Sequence, residues 1–125
     1  MSDLNSKNQK NNRQKGRLFE QAAEDFLVRE GYSILERNWQ AGHKEIDLIA
    51  RRDDTIVFVE VKGSRTGQYG HPAGWVDAAK RRNLVAAAES YIADKNLTGC
   101  DFRIDIITFH DGHLEHFENA FPAEE

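Results

Sequence analysis

Asp47, followed thirteen positions later by Glu60-Val61-Lys62, brings together residue types that can do chemistry on phosphates. Each half lies in an apolar run, Ile46-Asp47-Leu48-Ile49 and then Ile56-Val57-Phe58-Val59-Glu60-Val61-Lys62. Both runs are rich in β-branched residues, and they read as adjacent strands with Arg51-Arg52-Asp53-Asp54 as the hairpin between them. Side chains alternate along a strand, so Val57, Val59 and Val61 share one face while Phe58, Glu60 and Lys62 share the other. The neighbouring strand can then offer Asp47 beside Glu60. Charges set into apolar strands are costly unless they pair or bind a metal. Two carboxylates and a lysine are what a magnesium-dependent phosphodiester hydrolase needs. The carboxylates hold a hard cation through oxygen, and the lysine orients or activates the attacking water.

The rest of the chain supplies elements to position that hairpin. Residues 1–15 lack apolar periodicity and are expected to be a disordered basic arm, leaving 16–125 as a single domain. Leu18, Phe19, Ala22, Ala23, Phe26 and Leu27 recur at helical spacing, predicting a helix from about Arg17 to Glu30 that stops at Gly31. A first strand follows over Tyr32 to Trp39. Gly63 to Gly74 holds four glycines and Pro72 and reads as a loop immediately after the motif lysine. A second helix is predicted from roughly Trp75 to Asp94, then a strand over Asp101 to Phe109, a turn at Asp111-Gly112 and a short strand over Leu114 to Phe117. The order is α-β-β-β-α-β(β), which predicts a mixed sheet flanked by helices.

Composition bounds the possibilities. With 39% hydrophobic and 30% charged residues the chain reads as a soluble globular protein, and no apolar stretch approaches the roughly 20 residues needed to span a bilayer. The start is polar, without an apolar signal core, so a cytoplasmic location is expected. Cys100 is the single cysteine, which excludes an internal disulfide and a Cys-rich zinc site. Net charge is −4, but residues 1–17 carry five basic side chains against Asp3 alone, a balance of +4 that leaves −8 on the remainder. Such an arm can steer a polyanion toward carboxylates neutralised by bound metal. His110, His113 and His116 have helical spacing, but Asp111-Gly112 breaks any helix there, so they do not read as a zinc site. Neither a phosphate-cradling glycine signature nor a nucleophile elbow is present.

The run Gly16…Glu20-x-Ala22-Ala23…Gly31-Tyr32…Arg37-Asn38…Glu45-Ile46-Asp47-Leu48-Ile49-Ala50…Phe58-Val59-Glu60-Val61-Lys62 closely resembles the YraN family of bacterial proteins. The resemblance continues through Tyr69-Gly70…Lys80, Arg103-x-Asp105 and Asn119-Ala120-Phe121. It implies the PD-(D/E)xK nuclease superfamily, near the archaeal Holliday-junction resolvases, with an α/β restriction endonuclease-like αβββαβ core. One departure is Lys44, where the family usually has glycine directly before Glu45; here Gly42 lies two residues earlier.

From the resemblance, Asp47 and Glu60 would ligate Mg²⁺ or Mn²⁺ with the Val61 carbonyl, Lys62 would hold the attacking water, and Glu20 would lie near the metal. Glu45 shares the strand face of Asp47 and reads equally as outer support or as an exposed strand start. Arg65 and Tyr69, on the Gly-rich loop, and Lys80, at the second helix, are candidate phosphate or sugar contacts. Arg103 with Asp105 reads as a buried structural ion pair. The function expected is a metal-dependent DNA endonuclease for structured or branched substrates; the alternative is a nucleic-acid-binding module that keeps the nuclease-like core without turnover. A two-fold homodimer is plausible because a four-armed substrate has two equivalent cut positions.

Overall fold

The computed structural model describes residues 2–64 and 77–121, with backbone alone for 2–15 and 64. Its elements are α1 (Ser2–Arg29), β1 (Ser33–Ala41), β2 (Lys44–Arg52), β3 (Thr55–Ser64), α2 (Ala78–Asp94), β4 (Asp101–His110) and β5 (His113–Phe117). The strands form one sheet in the order β1-β2-β3-β4-β5. Only β3 and β4 run parallel, across the connection that contains α2; the other pairs are antiparallel. This mixed sheet with helices on both faces is the α/β arrangement expected from the sequence. Among the described residues no helix is long and apolar enough to cross a membrane.

Short turns set the registers. Asp53 and Asp54 alone join β2 to β3, with Arg52 opposite Thr55, so the hairpin is tighter than the four residues expected. Asp53 takes φ 55°, which aspartate tolerates in a two-residue turn. Asp111-Gly112 closes β4 onto β5 in the same manner. Gly42, at φ 63°, turns β1 into β2, so the glycine displaced from the position of Lys44 is spent on the turn.

Helix ends follow local chemistry. Gly31, at φ 93°, closes α1: the Tyr32 N–H donates to the Leu27 carbonyl and the Gly31 N–H to that of Val28. The helix begins at Ser2, well before the expected Arg17. The polar run of Lys, Asn, Gln and Arg holds no proline, so its missing apolar periodicity argued against a buried face rather than against helical backbone. Asp77 caps α2 by accepting the Lys80 N–H at 2.8 Å, which starts that helix three residues after Trp75.

Two apolar layers hold the sheet between the helices. On the α1 side Ala23, Leu27 and Tyr32 pack on Leu48, Ala50, Val57, Val59 and Ile107. On the α2 side Ala87, Ala88 and Tyr91 pack on Ile46, Ile49, Ile56 and Phe58. Ile56, Val57, Phe58 and Val59 are therefore buried whichever way they point, which explains the unbroken apolar run before Glu60.

Candidate functional site

Pairing between β2 and β3 ends at Leu48 opposite Val59. Beyond that point β2 remains with β1, through Trp39 opposite Ile46 and Gln40 opposite Glu45, and leaves β3. The alternation breaks at the same place. Leu48 packs in the α1-side layer and Ile46 in the α2-side layer, although strict alternation would put both on one face. Asp47 sits at the parting. Its Oδ2 accepts the Val61 N–H at 2.8 Å, satisfying a strand amide that lost its β2 carbonyl.

Glu60 faces this fork from β3. It is 5% exposed, and its Oε2 lies 3.4 Å from the Lys80 Nζ at the first turn of α2. Its other oxygen, Oε1, is buried and has no hydrogen-bond partner among the described residues. A bare buried carboxylate oxygen is costly and signals a ligand or strain.

The electrostatics agree. Burial first, then the charge of Glu60, push the Asp47 carboxyl up to about 8; the Val61 N–H opposes, while Glu20 and Glu45 add repulsion. Glu20, half-buried on α1, is also raised, chiefly by burial and then by Glu45 and Glu60, against a hydrogen bond from Asn38. Four carboxylates thus repel one another around one point. α1 reaches this point because β3 passes it very closely: a Cβ on Gly63 would collide with the Phe19 ring, which stacks on Phe109 at 5.3 Å.

Of the expected site residues, the fold brings together Asp47, Glu60, Val61, Glu20 and, electrostatically, Glu45. Lys62 follows on β3, half-exposed, and makes no ion pair among the described residues. Lys80 joins the cluster through Glu60 rather than standing apart on its helix. Arg65 and Tyr69, like Trp75, lie outside the described residues. Sequence reasoning missed Asn38 on β1, whose side chain opposes the rise of the Glu20 carboxyl. Its signal was only an asparagine, whose positive φ of 50° suits the residue type.

The remaining candidates belong elsewhere. Arg103 donates twice to Asp105 at 2.9 Å and once to the Tyr32 hydroxyl at 2.7 Å. His116 Nε2 lies 2.7 Å from Asp105, and the Asn119 N–H donates to it at 2.9 Å. This is the structural ion pair expected, enlarged by two partners that tie β4 to β5 and the chain beyond. His110 pairs with Asp111, so the three histidines do not converge. Cys100 is half-buried, with its Sγ 3.6 Å from the Thr98 carbonyl. A cleft of about 640 Å³, lined by Phe58, Arg81, Val85, Phe102 and Phe121, lies between α2 and β4 and does not include the carboxylates.

A divalent cation fits the fork. Its donors would be the unpartnered Glu60 Oε1, Asp47 and the Val61 carbonyl, all oxygen, as a hard cation requires. Among the described residues no three His, Cys, Asp or Glu side chains close into a ready cage. Magnesium is commonly held by one or two carboxylates, with water and substrate phosphate completing the shell.

The sequence profile described as "Uncharacterised protein family UPF0102" matches residues 19–109. The chain belongs to that family. UPF0102 relatives include a protein of Sulfurihydrogenibium sp. (strain YO3AOP1), 40% identical over 111 residues that span 89% of this chain and 96% of the relative. Another, from Clostridioides difficile (strain 630), is 36% identical over 113 residues, 89% of this chain and 99% of the relative. The YraN resemblance read from the motifs is this same family. Among solved structures, the Holliday junction resolvase Hjc of Archaeoglobus fulgidus superposes with a TM-score of 0.56. The two are 18% identical, over 82% of this chain and 75% of that one, and share the restriction endonuclease-like fold.

Proposed function

We propose that this UPF0102 protein is a metal-dependent nuclease that hydrolyses phosphodiester bonds in DNA, with branched or structured DNA as its substrate. The observation that carries this reading is the buried Glu60 Oε1, unpartnered among the described residues, beside Asp47, whose carboxyl is pushed up to about 8 by burial and by Glu60. Protein groups satisfy the other buried carboxylate, Asp105, whereas among the described residues this pair meets only the Lys80 ammonium and the Val61 N–H. Asp47 and Glu60, with the Val61 carbonyl, would hold Mg²⁺ or Mn²⁺. The ion would supply positive charge to the scissile phosphate and make water a stronger nucleophile near neutral pH. Lys62, two residues after Glu60 on the same strand, would place its ammonium near the attacking water or the charge that grows on phosphorus-bound oxygens. Glu20, on α1, shapes the field behind the metal ligands. Arg65, Tyr69 and Lys80 are the contacts assigned to phosphate and sugar, and the basic residues before Gly16 draw the polyanion in. The likeness to a resolvase supports a branched substrate and a two-fold dimer acting on it.

A second reading, a DNA-binding module without turnover, is favoured by one observation: Lys80 already meets Glu60 in the free protein. Supercoiled plasmid and a synthetic four-way junction, each incubated with Mg²⁺ or Mn²⁺, separate the two. Metal-dependent cutting that Asp47→Ala and Lys62→Ala both abolish supports the nuclease. Junction binding without cutting supports the module. Equal cutting by Asp47→Ala protein overturns the assignment of the site.

A further inference from the structure

The first turn of α2 places a cation where the metal ligand Glu60 needs one. Asp77 caps the helix through the Lys80 N–H at 2.8 Å, so the start of the Lys80 side chain is fixed by local hydrogen bonding. Its Nζ then reaches Glu60 Oε2 at 3.4 Å, across from the unpartnered Oε1. The two partners are unequal: the Lys80 side chain is 41% exposed and that of Glu60 is 7% exposed. The carboxylate is therefore committed to the fork, while the lysine can swing into water with little loss of burial.

We propose that Lys80 is a resident counter-ion of the cation site, which holds Glu60 in the metal-free protein and raises the divalent concentration needed to fill the fork. An ammonium and a dication that share one carboxylate repel each other, so the ion enters at the expense of the Lys80–Glu60 pair. The inference rests on the metal-site reading and deepens it, giving Lys80 a task before any phosphate arrives.

Mn²⁺ titration of full-length protein, by calorimetry and by loss of the free-ion electron paramagnetic resonance signal, tests it without any assay of activity. Lys80→Met should bind Mn²⁺ about tenfold more tightly, the effect of removing one unit charge a few ångström away through a partly screened path. Lys80→Arg should restore the affinity of the parent. Arg82→Met removes the same charge from the same helix without touching Glu60, and should change affinity by less than about twofold. A structural role alone would leave Lys80→Met unchanged or weaker. Parent protein that binds Mn²⁺ through Asp47, with Lys80→Met no tighter, overturns the counter-ion role and leaves the metal site standing. Absence of Mn²⁺ binding in both parent and Lys80→Met overturns the metal site and the inference together. Thermal melts of each variant confirm that the fold is intact, and Lys80→Gln gives the same reading should Met disturb the helix start.

Discussion

Two aspartates flank β3 within one residue of each other in register, and they live in opposite circumstances. Asp105, opposite Val59 on β4, is fully buried and meets Arg103, His116 and the Asn119 N–H. Asp47, on β2 just past the pair Leu48–Val59, has one donor among the described residues, the Val61 N–H, and three carboxylates for neighbours. Burial works against both charges, yet the hydrogen bonds at Asp105 outweigh it and hold that carboxyl below its ordinary value. At Asp47 burial wins, and the carboxyl rises to about 8. A satisfied buried charge stabilises a fold, whereas an unsatisfied one persists where something absent from the chain completes it.

The contrast can be broken most severely at the fork. Glu60→Gln should cut the rate of Mg²⁺-dependent plasmid nicking by roughly 100-fold or more while leaving the thermal midpoint close to that of the parent. Loss of folding together with activity would place Glu60 in the structural class instead.

Asp105→Ala should do the reverse. It removes the bidentate partner of the Arg103 guanidinium, leaving it the Tyr32 hydroxyl and the Glu118 carboxylate at 3.6 Å, and should cost about 3 kcal/mol in urea unfolding. A change under about 1 kcal/mol would mean that the network adds little beyond its packing.

In the pH dependence measured in EDTA the two sites carry opposite signs. The Asp47 carboxyl is raised in the folded state, so its contribution is present below pH 3.8 and is lost as pH rises toward about 8. Asp105 is lowered, so its contribution is present above 3.8 and is lost as pH falls below that value. Asp47→Asn should therefore flatten the decline in urea stability between pH 4 and 8 without touching the acid limb. A decline that persists unchanged in Asp47→Asn would show that another group titrates there.

Much of this was legible in the sequence because the signals were local. The apolar run from Ile56 to Val59 announced a central strand, Gly31 a helix stop, and Asp111-Gly112 a hairpin. The charges at Asp47, Glu60 and Lys62 stood out because nothing apolar requires them there. Less legible was anything that depends on two elements meeting. That β2 leaves β3 at Asp47 follows from long-range pairing, which alternation along one strand cannot disclose. The reach of Lys80 to Glu60 needed the position of the α2 cap. His116 belonged to a histidine series with no metal reading and no other role in the sequence, and only the β4–β5 register brought it to Asp105. The start of α1 was misplaced for a different reason, since a polar stretch without proline has no local stop signal.

The claim on which all else depends is that the fork holds a divalent cation between β2 and β3. Crystals grown with Mn²⁺ and measured above and below the manganese absorption edge test it directly. The expected result is an anomalous peak within direct coordination distance of Asp47 and Glu60 Oε1, absent from Asp47→Asn crystals. A saturating Mn²⁺ concentration that leaves the fork without a peak, or puts the ion at Asp105 or the histidines, would contradict the account.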